Sequence, residues 1–102
     1  RIICQGKVIY PRSMEEALLH HPAVHYSGVI ARQEASSWQI ALGIVELYPD
    51  QVVSPEELLS HCQGILGVED SPQAILIIPK MPMTPTGKIG KQELIRLYSQ
   101  PE

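Results

Sequence analysis

The sequence predicts an α+β domain: a small three-stranded core sheet with three helices packed on it, plus a two-stranded hairpin at the N-terminus. Three observations lead there. Two Ser-x-x-Glu boxes, at Ser13 and Ser54, each open a stretch with helical apolar spacing. Residues 24–32, 38–48 and 73–78 read as strands. These segments interleave without repeats, low-complexity tracts or long linkers, as in one layered unit of sheet and helix.

In order, Ile2-Ile3-Cys4 and Val8-Ile9-Tyr10 flank Gln5-Gly6-Lys7, a hairpin pattern that Pro11 is expected to end. Ser13 is expected to cap the first helix with Glu16 reaching back, and Glu15 and Glu16 suit its positive end. Met14, Ala17 and Leu18 share one face, Pro22 stops the helix, and His20 and His21 sit near its negative end. Residues 24–32 and 38–48 are expected to pair as an antiparallel hairpin across a polar turn at 33–37. Trp38, Ile40, Leu42 and Ile44 occupy one face, with Trp38 read as covering the core. Val45 and Leu47 leave that phase, which a bulge or burial on both faces accounts for.

Pro49-Asp50-Gln51 reads as a turn. Ser54-Pro55-Glu56-Glu57 is a second capping box with proline at the first helical position. Leu58, Leu59, Cys62, Ile65 and Leu66 form its apolar stripe, and Gly67 suits the C-cap. The unbroken run Ala74-Ile75-Leu76-Ile77-Ile78 predicts a third core strand, central in the sheet and covered on both faces. Residues 91–99 carry Leu94, Ile95, Leu97 and Tyr98 and read as a short final helix.

The chain has 102 residues, 44% hydrophobic and 19% charged, enough for one small domain with a modest core. No apolar run approaches the ~20 residues of a membrane-spanning helix, and no signal peptide is visible. The chain opens on Arg1 rather than methionine, so the natural start is expected upstream. A net charge of −3 argues against a nucleic-acid module. Lys and Arg are absent between Gln33 and Pro79, while Arg1, Lys7, Arg12, Lys80, Lys88, Lys91 and Arg96 lie toward the ends. If the ends meet, they make a basic face suited to phosphates; chance scatter is the alternative. Cys4 and Cys62 lack the spacing of a redox or zinc motif and read as free thiols of a cytoplasmic protein.

The chain is organised around Pro79-Lys80-Met81-Pro82-Met83-Thr84-Pro85-Thr86-Gly87-Lys88-Ile89-Gly90-Lys91. This loop is stiff at its prolines, able to turn sharply at Gly87, and presents a lysine directly after the turn. A P-loop is excluded: Ile89 follows Lys88 where Ser or Thr is needed, and no G-x-x-x-x-G precedes it.

The run Thr84-Pro85-Thr86-Gly87-Lys88-Ile89, with Leu94 further on, resembles the C-terminal signature of the adenylate-forming enzymes: acyl-CoA synthetases, peptide-synthetase adenylation domains and luciferases. Gly6-Lys7-Val8-Ile9-Tyr10-Pro11, with Met14 and Glu15, resembles the hinge-proximal loop of their small domain, and His21-Pro22-Ala23-Val24 its "HPAV". The matches fall in the family's order across nearly the whole chain.

The resemblance implies that residues 1–102 are the C-terminal lid domain of a larger AMP-forming acid:thiol ligase, whose large ATP- and acid-binding domain lies before Arg1. It implies Lys88 as the catalytic lysine of adenylation, with Thr86 and Gly87 beside the nucleotide. Gly6, Lys7 and Val8 map to the loop that faces the thiol. It implies ATP and Mg2+, held mainly by the large domain, with CoA or phosphopantetheine as acceptor. The partners are that domain and a small carboxylic acid, fatty or aromatic. The fragment alone is expected to be inactive.

The hinge-side loop departs from the family: Gln5 replaces glycine, Val8 asparagine and Ser13 glutamate. Segment 31–39 lacks the usual G-x-P-D and Gly-Glu. Two other readings therefore stand beside the first: an enzyme that loads a carrier protein's phosphopantetheine, and a degenerate, non-catalytic interaction module. Each site residue also has a plain reading. Lys88 can be a solvated loop lysine, Gly6 an ordinary turn residue, and Glu15 a helix-start charge. His20, His21 and His25 read as helix C-cap histidines rather than metal ligands, and no metal site is expected.

Overall fold

β1 (Ile2–Cys4) and β2 (Lys7–Ile9) pair antiparallel, Cys4 opposite Lys7, in the computed structural model, which describes residues 2–34 and 38–101. Gln5 and Gly6 join them with φ of 53° and 76°. Both central residues lie in the left-handed region, as a two-residue turn matched to strand twist requires.

Helix α1 (Pro11–Leu19) starts earlier than the Ser13 box predicts. Tyr10 is the N-cap, no side chain caps the first turn, and Pro11, which follows the end of the hairpin as expected, also initiates the helix. Proline's fixed φ and missing N–H suit the first helical position, where the donor has no intrahelical partner. Glu16 turns to Arg12, one turn back, at 3.5 Å. Met14, Ala17 and Leu18 are buried as expected.

β3 (Val24–Gln33) and β4 (Gln39–Leu47) form the antiparallel hairpin; the expected turn lies partly outside the described residues. β4 is buried on both faces. Ala41 and Val45 pack in one core cluster with α1 and with Leu58 and Cys62, and Leu42 and Ile44 in a second with Met81 and Leu94. The irregularity lies in β3, where pairing shifts between Val24 and Tyr26. Trp38 is half exposed and does not cover the core.

α2 (Pro55–Leu66) keeps the serine half of its capping box: Ser54 Oγ accepts from the Glu57 N–H at 3.0 Å, while Glu57 Oε2 turns to His21 Nε2 at 2.9 Å. It ends at Gly67, with φ of 84°. Leu58 and Cys62 are buried, whereas Ile65 is exposed.

β5 (Ala74–Ile77) pairs parallel with β4, so the sheet order is β3-β4-β5. β4 is therefore the central strand and β5 an edge, correcting the expectation for 74–78. Ile75 and Ile77 pack on one cluster, Ala74 and Leu76 on the other. Cover on both faces gives an edge strand the same unbroken apolar run as a central one. α3 (Lys91–Tyr98) covers the second face through the fully buried Leu94.

Candidate functional site: the lysine loop

The chain leaves β5 with the Ile78 N–H donating to Val45 O at 2.9 Å. Two residues past Pro79, Met81 is buried in the second cluster, and its N–H donates to Glu46 Oε1 at 2.6 Å. From that root a short hairpin projects. Gly90 N–H donates to Pro82 O at 2.8 Å, Met83 bridges Ile89, and Thr84 N–H donates to Lys88 O at 2.7 Å.

At the tip, Gly87 N–H donates to Thr84 O at 2.9 Å, and Gly87 has φ of 84°. This is a three-residue hairpin loop over Pro85, Thr86 and Gly87: a tight turn completed by a left-handed glycine. Pro85 presets the first turn residue and Gly87 takes the conformation that a side chain resists. Thr84 Oγ1 accepts from the Lys88 N–H at 3.2 Å and lies 3.1 Å from Thr86 Oγ1.

The backbone of Lys88 is thus held from two sides while its side chain is exposed. The other Lys and Arg side chains of the described residues have carboxylates beside them: Lys7 with Asp70, Arg12 with Glu16, Arg32 with Glu34, Lys91 with Glu15 and Arg96 with Glu93. Among the described residues, Lys80 and Lys88, both in this loop, make no ion pair. Among the described residues, the cations suggested as a basic face are therefore largely paired with carboxylates, leaving Lys80 and Lys88 of the loop.

One turn brings Thr86, Gly87 and Lys88 together; Gly6, Lys7 and Val8 sit apart in the β1–β2 hairpin. A methyl group added at Gly6 meets no described residue beyond its chain neighbours within 4 Å, so its glycine character answers to the turn rather than to packing. Lys7 Nζ donates to Glu69 O at 2.6 Å and lies 3.5 Å from Asp70, which docks the hairpin on the α2–β5 connection.

The histidines separate. His20 is the C-cap of α1, and His21 Nε2 lies 2.9 Å from Glu57 Oε2. His25 is not a helix cap; it stacks in β3 between Tyr26 and Tyr48, at centroid distances of 3.9 and 4.4 Å. Among the described residues, no group of three or more His, Cys, Asp or Glu is arranged to hold a metal ion.

Sequence reasoning missed two carboxylates. Glu15 is more than a helix-start charge: its Oε2 accepts from Val29 N–H at 2.7 Å and lies 2.6 Å from Lys91 Nζ. Glu46 holds the root of the loop. Its one sequence signal is being the sole charged residue in the apolar strand β4.

The profile of the AMP-binding enzyme C-terminal domain matches residues 13–88, three quarters of the chain and ending on the loop lysine. The chain belongs to that family. It is 31% identical over 99 residues to a 2-succinylbenzoate–CoA ligase of Bacillus mycoides, covering 97% of this chain and 20% of the relative. A mitochondrial medium-chain acyl-CoA ligase of Danio rerio is 30% identical over 93 residues, covering 91% of this chain and 15% of that protein. A fatty acyl-CoA synthetase structure from Mycobacterium tuberculosis superposes with a TM-score of 0.86 at 29% identity, over 98% of this chain and 20% of its own. The domain thus spans a fifth or less of these relatives. The hairpin candidates Gly6, Lys7 and Val8 lie outside the matched profile segment. Among the described residues, no helix is long and apolar enough to cross a membrane.

Proposed function

We propose that this domain is the mobile C-terminal lid of an ATP-dependent, AMP-forming acid:thiol ligase of the acyl-CoA synthetase kind, and that Lys88 is its adenylation lysine. The observation that carries the reading is the rigid presentation of Lys88, whose ammonium has no ion-pair partner among the described residues. Family membership and the names of the relatives support the reaction class.

Joining a carboxylate to the α-phosphorus of ATP gathers negative charge on the α-phosphate and the departing pyrophosphate. An ammonium between the two stabilises that charge and orients both reactants. At about 4 Å and an effective dielectric of about 20, one such pair contributes roughly 4 kcal/mol, roughly a thousandfold in rate. Thr86 and Gly87 shape the turn and bring backbone close to the nucleotide. In this reading ATP and Mg2+ are held mainly by the large domain.

After adenylation the lid rotates, the lysine loop withdraws, and the β1–β2 hairpin faces the incoming thiol. Gly6 then lets backbone approach the pantetheine arm, with no described residue beyond its chain neighbours filling the space beside it. CoA is the acceptor, as the named relatives suggest.

The lid reading is tested by comparing this chain with the full-length ligase. With ATP and a panel of carboxylic acids, the fragment should release pyrophosphate only at background, and the full-length enzyme should turn over. Clear turnover by the fragment would remove the reading.

A further inference from the structure

We propose that Glu46 is a positioning residue for adenylation: it holds the root of the lysine loop and so sets where Lys88 stands, without touching substrate. The inference rests on the role proposed for Lys88. Glu46 is the sole charged residue of β4, and its side chain is 17% exposed. A carboxylate so far from water needs partners for both oxygens. Oε1 takes the Met81 N–H at 2.6 Å, and Oε2 lies 3.3 Å from His25 Nδ1.

Each partner is itself immobilised. The irregular pairing between Val24 and Tyr26 brings His25 onto the same side of β3 as Tyr26, and their rings stack at 28°. Tyr48 stacks on His25 at 24°. With its proton on Nδ1, the clamped imidazole donates to Oε2 and orients the carboxylate toward Met81. The Met81 side chain is anchored in the core, and Pro82, at the base of the Lys88 hairpin, comes directly after it.

Consecutive β4 residues therefore hold two points of the departing chain: Val45 through its carbonyl at Ile78, Glu46 through its side chain at Met81. Between them lie Pro79 and Lys80, both exposed. Without the carboxylate the Met81 N–H loses its acceptor, and the chain can pivot between Ile78 and Pro82. A displacement of about 1 Å in a reacting group costs up to roughly a hundredfold in rate.

The test uses the full-length ligase with the two half-reactions measured separately. Glu46→Leu keeps volume and removes the acceptor; Glu46→Gln keeps a carbonyl oxygen for Met81. Glu46→Leu is expected to lower adenylation kcat roughly tenfold to a hundredfold. Glu46→Gln should restore most of that loss, and thioester formation from supplied acyl-adenylate should stay within about twofold. In a Lys88→Ala background Glu46→Leu should add little, because both act through one ammonium. If Glu46→Leu folds poorly, Glu46→Asp withdraws the carboxylate by about one bond length and should show the same selective loss.

Normal adenylation in folded Glu46→Leu and Glu46→Asp, with Lys88→Ala impaired, would overturn the positioning role and leave Lys88 standing. Equal loss in both half-reactions, or a full additional loss in the Lys88→Ala background, would reduce Glu46 to a stability residue. Normal adenylation in Lys88→Ala itself would remove the reading beneath.

Discussion

Lys91 Nζ lies 2.6 Å from Glu15 Oε2, and the same oxygen accepts the Val29 N–H at 2.7 Å. One carboxylate on α1 thereby joins the free edge of β3 to the first residue of α3. Ser27 Oγ reinforces the joint by donating to Glu15 O at 2.9 Å. The lysine loop is held beyond both ends, through Met81 before the hairpin and Lys91 after it. Glu15→Ala should cost about 1.5–3 kcal/mol in urea unfolding, since it strands a strand-edge N–H as well as an ammonium. Lys91→Ala, which removes only the half-exposed cation, should cost under about 1 kcal/mol. Equal costs would mean that the Val29 contact contributes nothing.

The two serine boxes should behave differently despite similar sequences. Ser54→Ala removes the oxygen that accepts Glu57 N–H and should cost about 1 kcal/mol. Ser13 lies inside α1 and caps nothing, so Ser13→Ala should change stability by less than about 0.5 kcal/mol. Thermal unfolding of both variants checks the contrast; similar losses would restore Ser13 as the cap.

Burial pushes the Cys62 thiol up to about 11 from its ordinary 9.0, and burial raises Cys4 as well. The folded chain keeps a proton that the unfolded chain loses, so the contribution is complete below the unfolded value and disappears as pH climbs to the folded one. From pH 9 to 11, stability should fall with a slope from Cys62 of at most roughly 1.4 kcal/mol per pH unit. Cys62→Ala should flatten that slope, leaving the smaller one of Cys4. An unchanged slope in urea melts across this window would assign the pH dependence to other groups.

The loop was legible because its determinants are contiguous: Pro85, Thr86 and Gly87 specify the turn, and Lys88 is the side chain presented at its end. The helices and the β3–β4 hairpin were legible from local periodicity and, for α2, from its cap. Strand order was not, because β5 carries the apolar run of a two-sided strand while standing at the edge. The start of α1 was misread because Pro11 can end one element or begin the next. Glu46 and Glu15 escaped notice because their partners are 35 and 14 residues away in sequence. The contact of Glu46 with His25 also needs an irregularity in β3 that no local signal announces.

If Lys88 stabilises the adenylation transition state as proposed, single-turnover kinetics of Lys88→Ala in the full-length protein reveal it. Adenylation should fall roughly a hundred- to a thousandfold. Thioester formation from supplied acyl-adenylate should be largely spared, and the melting temperature nearly unchanged, because the exposed side chain has little packing to lose. Acetylation of Lys88 removes the same charge and should reproduce the defect. An alanine variant that forms acyl-adenylate at a near-normal rate would contradict that role and favour a degenerate, non-catalytic interaction module.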